Sequence, residues 1–357
     1  MTENELKLVV AIAAAVATIV ASVIAFVGAR SNQRDLEKLK AELLEDKSES
    51  DAKRAYTYEA LKRLYSQYEP IRFRLREACE SAHELVKQIA EVASTQQPDL
   101  IGRIPRGNHL RIARIYHLLL PSVHFRIIQS CLTLIDLEAS RSTFLQYLIA
   151  KQSCALFCRD RELADFFKLR YTPYVEGWRK LRIENPQQYR RQGFAVGRLE
   201  NALSCFTKAT DGATSRVLTF GEFELMLTPA VSEFDELARS MAVRDPFSYS
   251  SPLGAVIDLF DDFEPTTRPI LWRMLLSQFV LYALFIGATR TNAESTDNLR
   301  SLLPQLLNDL SLVTGDSAIA NEVICFVERD ILHRIDMSFT RTKMSLKLGP
   351  SAVVTCP

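Results

Sequence analysis

Arg111 and His117 stand six positions apart in a stretch with helical apolar spacing, and no other pair in this chain is better equipped for chemistry. An arginine can neutralise charge building on a phosphoryl group, and a histidine titrating near neutrality can pass a proton. Together they suit cleavage of a phosphodiester. The plainer alternative is a half-buried core histidine beside Leu118, Leu119 and Leu120.

Three further constellations have simpler readings. Cys154 and Cys158 share one helix face, yet the nearest histidine is His124 and no second cysteine pair follows, so packed thiols are expected rather than a metal. Asp258, Asp261, Asp262 and Glu264 crowd one short segment, but no glycine sits where a calcium loop needs it, and they read as an acidic helix end. Gly315-Asp316-Ser317 precedes a helix for which Asp316 is a good N-cap. The chain has no Gly-x-x-x-x-Gly-Lys-[Ser/Thr], His-Glu-x-x-His or Gly-x-Ser-x-Gly, so neither a metal nor a cofactor is expected.

The Arg111-x5-His117 spacing resembles the Arg-x4–6-His signature of the HEPN ribonuclease superfamily, all-α domains that often act as toxins or defence nucleases. The resemblance implies a HEPN-like ribonuclease or defence effector with those two residues at its centre. It rests on them alone, and Ile112 stands where that family commonly carries a polar residue.

Charge is segregated along the chain although the formal total is only +1. One basic window holds Arg103, Arg106, Arg111, Arg114 and Arg126; a second holds Arg179, Lys180, Arg182, Arg190, Arg191 and Arg198. Residues 222–264 are strongly acidic. If the basic windows share a face, they could hold lipid headgroups or nucleic-acid phosphate. The alternative is internal, with segments of opposite sign pairing inside one domain.

The elements that must position these residues are helical. Only 12 of 357 residues are glycine, helical spacing recurs nearly throughout and clean period-2 runs are scarce, so the fold class is all-α. Residues 56–93 carry the clearest amphipathic stripe, from Leu61 and Leu64 through Leu75, Ala82 and Ile89, with Pro70 marking a kink or restart. Further helices are expected over 109–138, 142–169, 187–209, 220–243, 269–288, 296–312 and 316–336. Loops are expected near 94–108 and 244–268. Thr219 and Glu222 form a capping box, and Pro269 sits where a first-turn proline belongs.

Ahead of this body, residues 8–29 form a charge-free run of about 33 Å as a helix, enough to span a bilayer. Lys7 alone precedes it, whereas Arg30, Arg34, Lys38, Lys40 and Lys47 follow. The imbalance orients the N-terminus outside and the remainder in the cytoplasm. The expected organisation is a short tail (1–7), a single transmembrane helix (8–29), a charged helical stalk (30–55), a cytosolic all-α domain (56–339) and a flexible tail (340–357). Ala13, Ala17, Ala21, Ala25 and Ala29 recur every four residues, a small-residue stripe that lets two helices approach closely in lipid. Residues 270–288 are also apolar, but Arg273 and Gln278 interrupt them, and a buried core helix is expected there. The functional expectation is a membrane-anchored scaffold or interaction protein, in contact with membrane lipids, that forms a homo-oligomer or docks a protein partner. Tyr56, Tyr58, Tyr65 and Tyr68 beside Arg63, Arg72, Arg74 and Arg76 are candidate docking residues. Nucleic acid is the less favoured partner, and a membrane-tethered ribonuclease is the alternative.

Overall fold

The structure, a computed structural model, describes residues 47–94, 108–131, 140–173, 184–209, 215–228, 252–261 and 263–348, plus Lys40, Leu44, Leu137 and Leu181. The expected membrane span at 8–29, with its alanine stripe, lies outside the described residues. The chain divides into two compact units, one ending at Lys62 and one beginning at Arg63. The first is helical over 47–62.

The second unit opens with a π-helical turn, Leu64–Tyr68, that leads into α1, Glu69–Ser94. A π turn holds one more residue than an α turn and so shifts the phase of what precedes it. Leu64 and Tyr68 are both buried while Tyr65 is exposed. Pro70 directly follows the π turn inside a continuous helical run, and its missing N–H leaves one carbonyl of the preceding turn without a helical donor. From there Leu75, Ala78, Cys79, Ala82, Leu85 and Ile89 are buried at helical spacing.

There follow α2 (His109–Cys131), α3 (Arg141–Leu156), α4 (Asp160–Phe166), the single turn α5 (Pro186–Tyr189) and α6 (Val196–Ser204). A two-stranded antiparallel hairpin, β1 (Thr207–Ala209) and β2 (Ser215–Val217), pairs Thr207 with Val217 and Ala209 with Ser215. Residues 220–228 are helical. The remainder comprises α7 (Pro252–Phe260), α8 (Pro269–Thr291), α9 (Thr296–Arg300), α10 (Leu303–Thr314) and α11 (Ser317–Phe326). A second π turn, Val327–Leu332, then joins α12 (His333–Leu348). The protein is all-α, and this hairpin is the only sheet among the described residues.

Four boundaries differ from the sequence reading. The helix expected over 142–169 breaks after Leu156, because the Phe157 carbonyl leaves the helical ladder to accept from the Phe194 amide at 2.7 Å. The segment expected as a loop at 244–268 contains α7. Its Leu253, Val256, Ile257 and Phe260 are spaced as a helical face and buried, although Pro, Ser and Asp surround them. The helix expected over 187–209 is shorter and yields to β1, whose three residues are too few for a period-2 signal. Helix continues to Leu348, into the segment expected as a flexible tail.

The organising element is α8. Over its most apolar 18 residues the mean hydropathy is 1.7, enough in length and composition for a membrane span, yet 78 % of that window is buried inside the body. A helix apolar on all sides must be enclosed by something. Here α1, α3, α4 and α11 pack around it. Gln278, fully buried at mid-helix, donates to the Ser153 carbonyl at 3.1 Å.

A helix whose first turn is buried needs acceptors for its orphan amides. At the start of α8 Pro269 has no N–H, and Trp272 reaches the Arg268 carbonyl at 2.9 Å. The amides of Ile270 and Leu271 both donate to Oε1 of Gln192, at 2.8 and 3.2 Å. Gln192 is itself fixed, since its Nε2 donates to the Gln187 carbonyl and its amide donates to the Tyr171 hydroxyl, which in turn donates to Asp160. Replacing Gln192 with leucine strands two buried amides. Urea unfolding of Gln192→Leu should therefore show a loss of about 2–4 kcal/mol, and a loss below about 1 kcal/mol would mean that α8 finds another cap.

Candidate functional site

Four of the side chains singled out in the sequence, Arg111, Arg190, Asp258 and Asp261, gather at one place inside the protein. Asp261, just beyond the end of α7, is 5 % exposed. Its carboxylate accepts from Arg111 of α2 at 3.3 Å and from Arg190 at 3.1 Å, and Asp258 lies 3.8 Å from the same Arg190 group. Arg268, wholly buried, donates to the main-chain carbonyls of Arg191, Asp258 and Asp261 at 2.6 to 2.8 Å. Two of those carbonyls belong to the C-terminal end of α7, where the helix presents partial negative charge and a cation is favoured. This hub ties α2, the 190–192 segment, α7 and the start of α8 together through charge-assisted bonds.

Its composition corrects part of the anion-binding reading. Arg111 is 2 % exposed and committed to Asp261, so it is not available to a phosphate. Arg190 is held by Asp258 and Asp261. Arg114, Arg126 and Arg191 are half-buried, while Arg103, Arg106, Arg179, Lys180 and Arg182 lie outside the described residues. Arg111 and Arg190 thus meet the acidic segment internally.

His117 does not join Arg111. Two residues six apart on an α-helix point about 120° away from each other and sit about 9 Å apart along the axis. His117 is half-buried beside the Tyr116 ring, its Nδ1 has no hydrogen-bond partner, and burial lowers its pKa. The pair therefore does not form the convergent acid–base site its spacing suggested.

Burial also quiets Cys154 and Cys158. Burial pushes the Cys154 thiol up to about 11 and the Cys158 thiol up to about 12, so neither is a thiolate at neutral pH. Gly315 is the left-handed C-cap of α10, at φ 66°, and Asp316 accepts from the amides of Ala318 and Ile319 as the N-cap of α11. Thr219 and Glu222 form the expected capping box, and Glu222 also binds Arg216 of β2 through two bonds of 2.6 and 2.7 Å. These Arg216 bonds foremost hold the Glu222 carboxyl down at about 2. Of the candidate docking tyrosines, Tyr68 is buried, and Arg72 is bound to Glu69 and Gln146. Tyr56, Tyr58 and Tyr65 are exposed.

What remains open is a groove on the second unit that the sequence reading missed. Two clefts of about 380 and 370 Å³ share His83, Glu84 and Asp309. The walls are α1 and α10, and the floor is the flank of α8 formed by Ala283, Ile286 and Gly287. Gly287 permits a close approach: a Cβ there would stand 2.8 Å from the Leu302 side chain. The His83 ring stacks on Phe279 with centroids 3.9 Å apart, and its Nδ1 lies 3.1 Å from the Phe279 carbonyl. A carbonyl only accepts, so Nδ1 carries the proton and Nε2 is left as an acceptor. Desolvation lowers the His83 pKa and keeps the ring neutral near pH 7. The signal for this groove was present as 80, 83, 84, 87 and 91, a polar stripe at helical spacing on the face that a sequence reading assigns to solvent.

Comparison of the chain with protein-family models, with curated proteins and with solved structures finds no match.

Two measurements follow from the buried groups. Arg111→Ala leaves Asp261 short of a partner, and chemical unfolding should show a loss of about 3–5 kcal/mol; Arg126→Ala on the same helix should cost less than about 1 kcal/mol. A phosphate-binding Arg111 would show the reverse, unchanged stability with a lost activity. Burial foremost, and the Arg74 charge second, lower His124 from 6.5 to about 4. Between those values the unfolded chain takes up a proton that the native state refuses. The His124 contribution to stability is therefore complete above about pH 6.5 and is lost as the pH falls toward 4, by about 3 kcal/mol. His124→Gln should flatten the acid limb of a stability–pH profile by that amount; an unchanged slope would place the proton uptake elsewhere.

Proposed function

We propose that this chain is a single-pass membrane protein whose cytosolic all-α body serves as a scaffold or interaction module without catalytic activity. The observation that carries the reading is a contrast within the second unit. Arg111, Arg190, Asp258 and Asp261 are spent on one another in the interior, while the groove walled by α1 and α10 stays open, with apolar surface and with Glu84 and Asp309 in no ion pair among the described residues. Such a surface suits recognition rather than bond cleavage.

The membrane part of the proposal draws on sequence alone. The 22 uncharged residues from Leu8 to Ala29 are long enough to span a bilayer, and the excess of Lys and Arg after them argues for a cytoplasmic body. Ala13, Ala17, Ala21, Ala25 and Ala29 supply a packing stripe for a second copy or a partner helix. The ribonuclease alternative loses support from the burial of Arg111 and its divergence from His117.

The test is purification of the full-length chain in mild detergent, with mass and absorbance ratio read on one size-exclusion peak. A stoichiometric oligomer or protein complex free of nucleic acid is expected, and Ala17→Leu with Ala21→Leu should reduce its mass. A monomer carrying RNA, or a chain recovered without detergent from the soluble fraction, would overturn the proposal.

A further inference from the structure

We infer that the groove around His83 binds an amphipathic helix of a partner protein, and that it recognises an arginine or lysine at the centre of that helix. This rests on the reading of the chain as an interaction protein and adds the chemistry of the partner.

Length and shape come first. The residues of α1 that line the groove run from Glu80 to Glu91, about 16 Å of helix. Those of α10 are Gln305, Leu306, Asp309, Leu312 and Val313, about two turns of one face. Two helical walls over a third helix form a trough that suits a helix of about three turns. The floor is the one stretch in the middle of α8 that is half-exposed, at Ala283, Ile286 and Gly287; Phe279 through Tyr282 and Leu284 to Phe285 are buried. Small side chains there let an incoming backbone approach closely. Leu312, 82 % exposed, stands on the α10 wall and supplies apolar surface that no described residue covers.

Charge distribution then selects the occupant. Lys87 lines one cleft and Arg290 the other, neither cation lines both, and the Lys87 charge is felt at His83. The middle, shared by both clefts, consists of His83, Glu84 and Asp309. Neither carboxylate has an ion-pair partner among the described residues, and the neutral His83 ring presents an acceptor nitrogen beside them. The three shared groups present two carboxylates and an acceptor nitrogen, which match a guanidinium or ammonium with several N–H groups. The aliphatic stem of the same side chain would lie on Leu306 and Leu312.

The experiment uses the full chain in phosphatidylcholine nanodiscs, with empty discs as the reference. Fluorescence anisotropy follows a labelled helical peptide of about four turns carrying Leu, Arg and Leu at i, i+3 and i+7 among alanine and glutamine. Its twin has Glu in place of Arg. Binding of the Arg peptide alone is expected. Glu84→Gln with Asp309→Asn should weaken it about tenfold or more, and Leu312→Ser should weaken it separately. All three positions are exposed, so the fold is not at stake, and an unchanged melting temperature verifies it. Equal binding of the two peptides, no binding of either, or undiminished affinity in the double variant would overturn the inference. If the double variant instead loses oligomer mass and no peptide binds, the groove belongs to a second copy, which also overturns it. Particle mass on the same sample keeps this failure apart from failure of the scaffold reading.

Discussion

The second unit depends on how α8 is allowed to begin. A 23-residue helix that is apolar on nearly every side can only be interior, and an interior helix start is a concentration of unmet amide donors. Water cannot serve them, and a local cap is absent, because the N-cap residue Arg268 makes no side-chain bond to the first turn. The acceptor comes from Gln192, 78 positions earlier. Arg268, freed from capping duty, turns its charge onto the carbonyl end of α7. One constraint thus fixes two helix ends and draws the 190–192 segment into the core. Asp261 completes the joint by holding Arg111 and Arg190.

That joint also accounts for the uneven charge of the sequence. Arginine-rich and acid-rich windows in a nearly neutral chain invite thoughts of a charged partner. In the interior an arginine is tolerable only with carboxylates or carbonyls around it, and α2 and the 190–192 segment meet α7 on those terms. Part of the segregation is thus a record of which segments touch. A second network does similar work nearer the surface, where Arg159 binds Glu162 and Asp330, and Arg334 binds the same two carboxylates.

Periodicity made much of this architecture legible. The buried stripe of α1, the Thr219–Glu222 capping box, the Asp316 cap, the first-turn proline of α8 and its placement in the core all follow from residues a few positions apart. What escaped depends on distant residues. The break after Leu156 coincides with a bond from the Phe194 amide, and just past the hairpin the Leu218 carbonyl accepts from the distant Tyr116 hydroxyl at 2.7 Å. The internal destination of Arg111 was legible only as one of two alternatives, since a lone sequence does not say which acid an arginine will meet. The groove escaped for a different reason. Its α1 wall is polar at helical spacing, the pattern of an ordinary solvated face, and only the placement of α10 opposite makes it concave.

The central position of α8 has a consequence for the order in which the chain is made. A segment this apolar is hazardous while uncovered, because it competes for any nonpolar surface nearby, including its like on a neighbouring chain. Yet α1, α3, α4 and the Gln192 cap all precede it in the sequence. By the time residue 291 has emerged from the ribosome, most of the enclosure for α8 has been synthesised, and α11 closes the remaining side soon after. The chain thus presents its most aggregation-prone helix late, to surfaces already waiting for it.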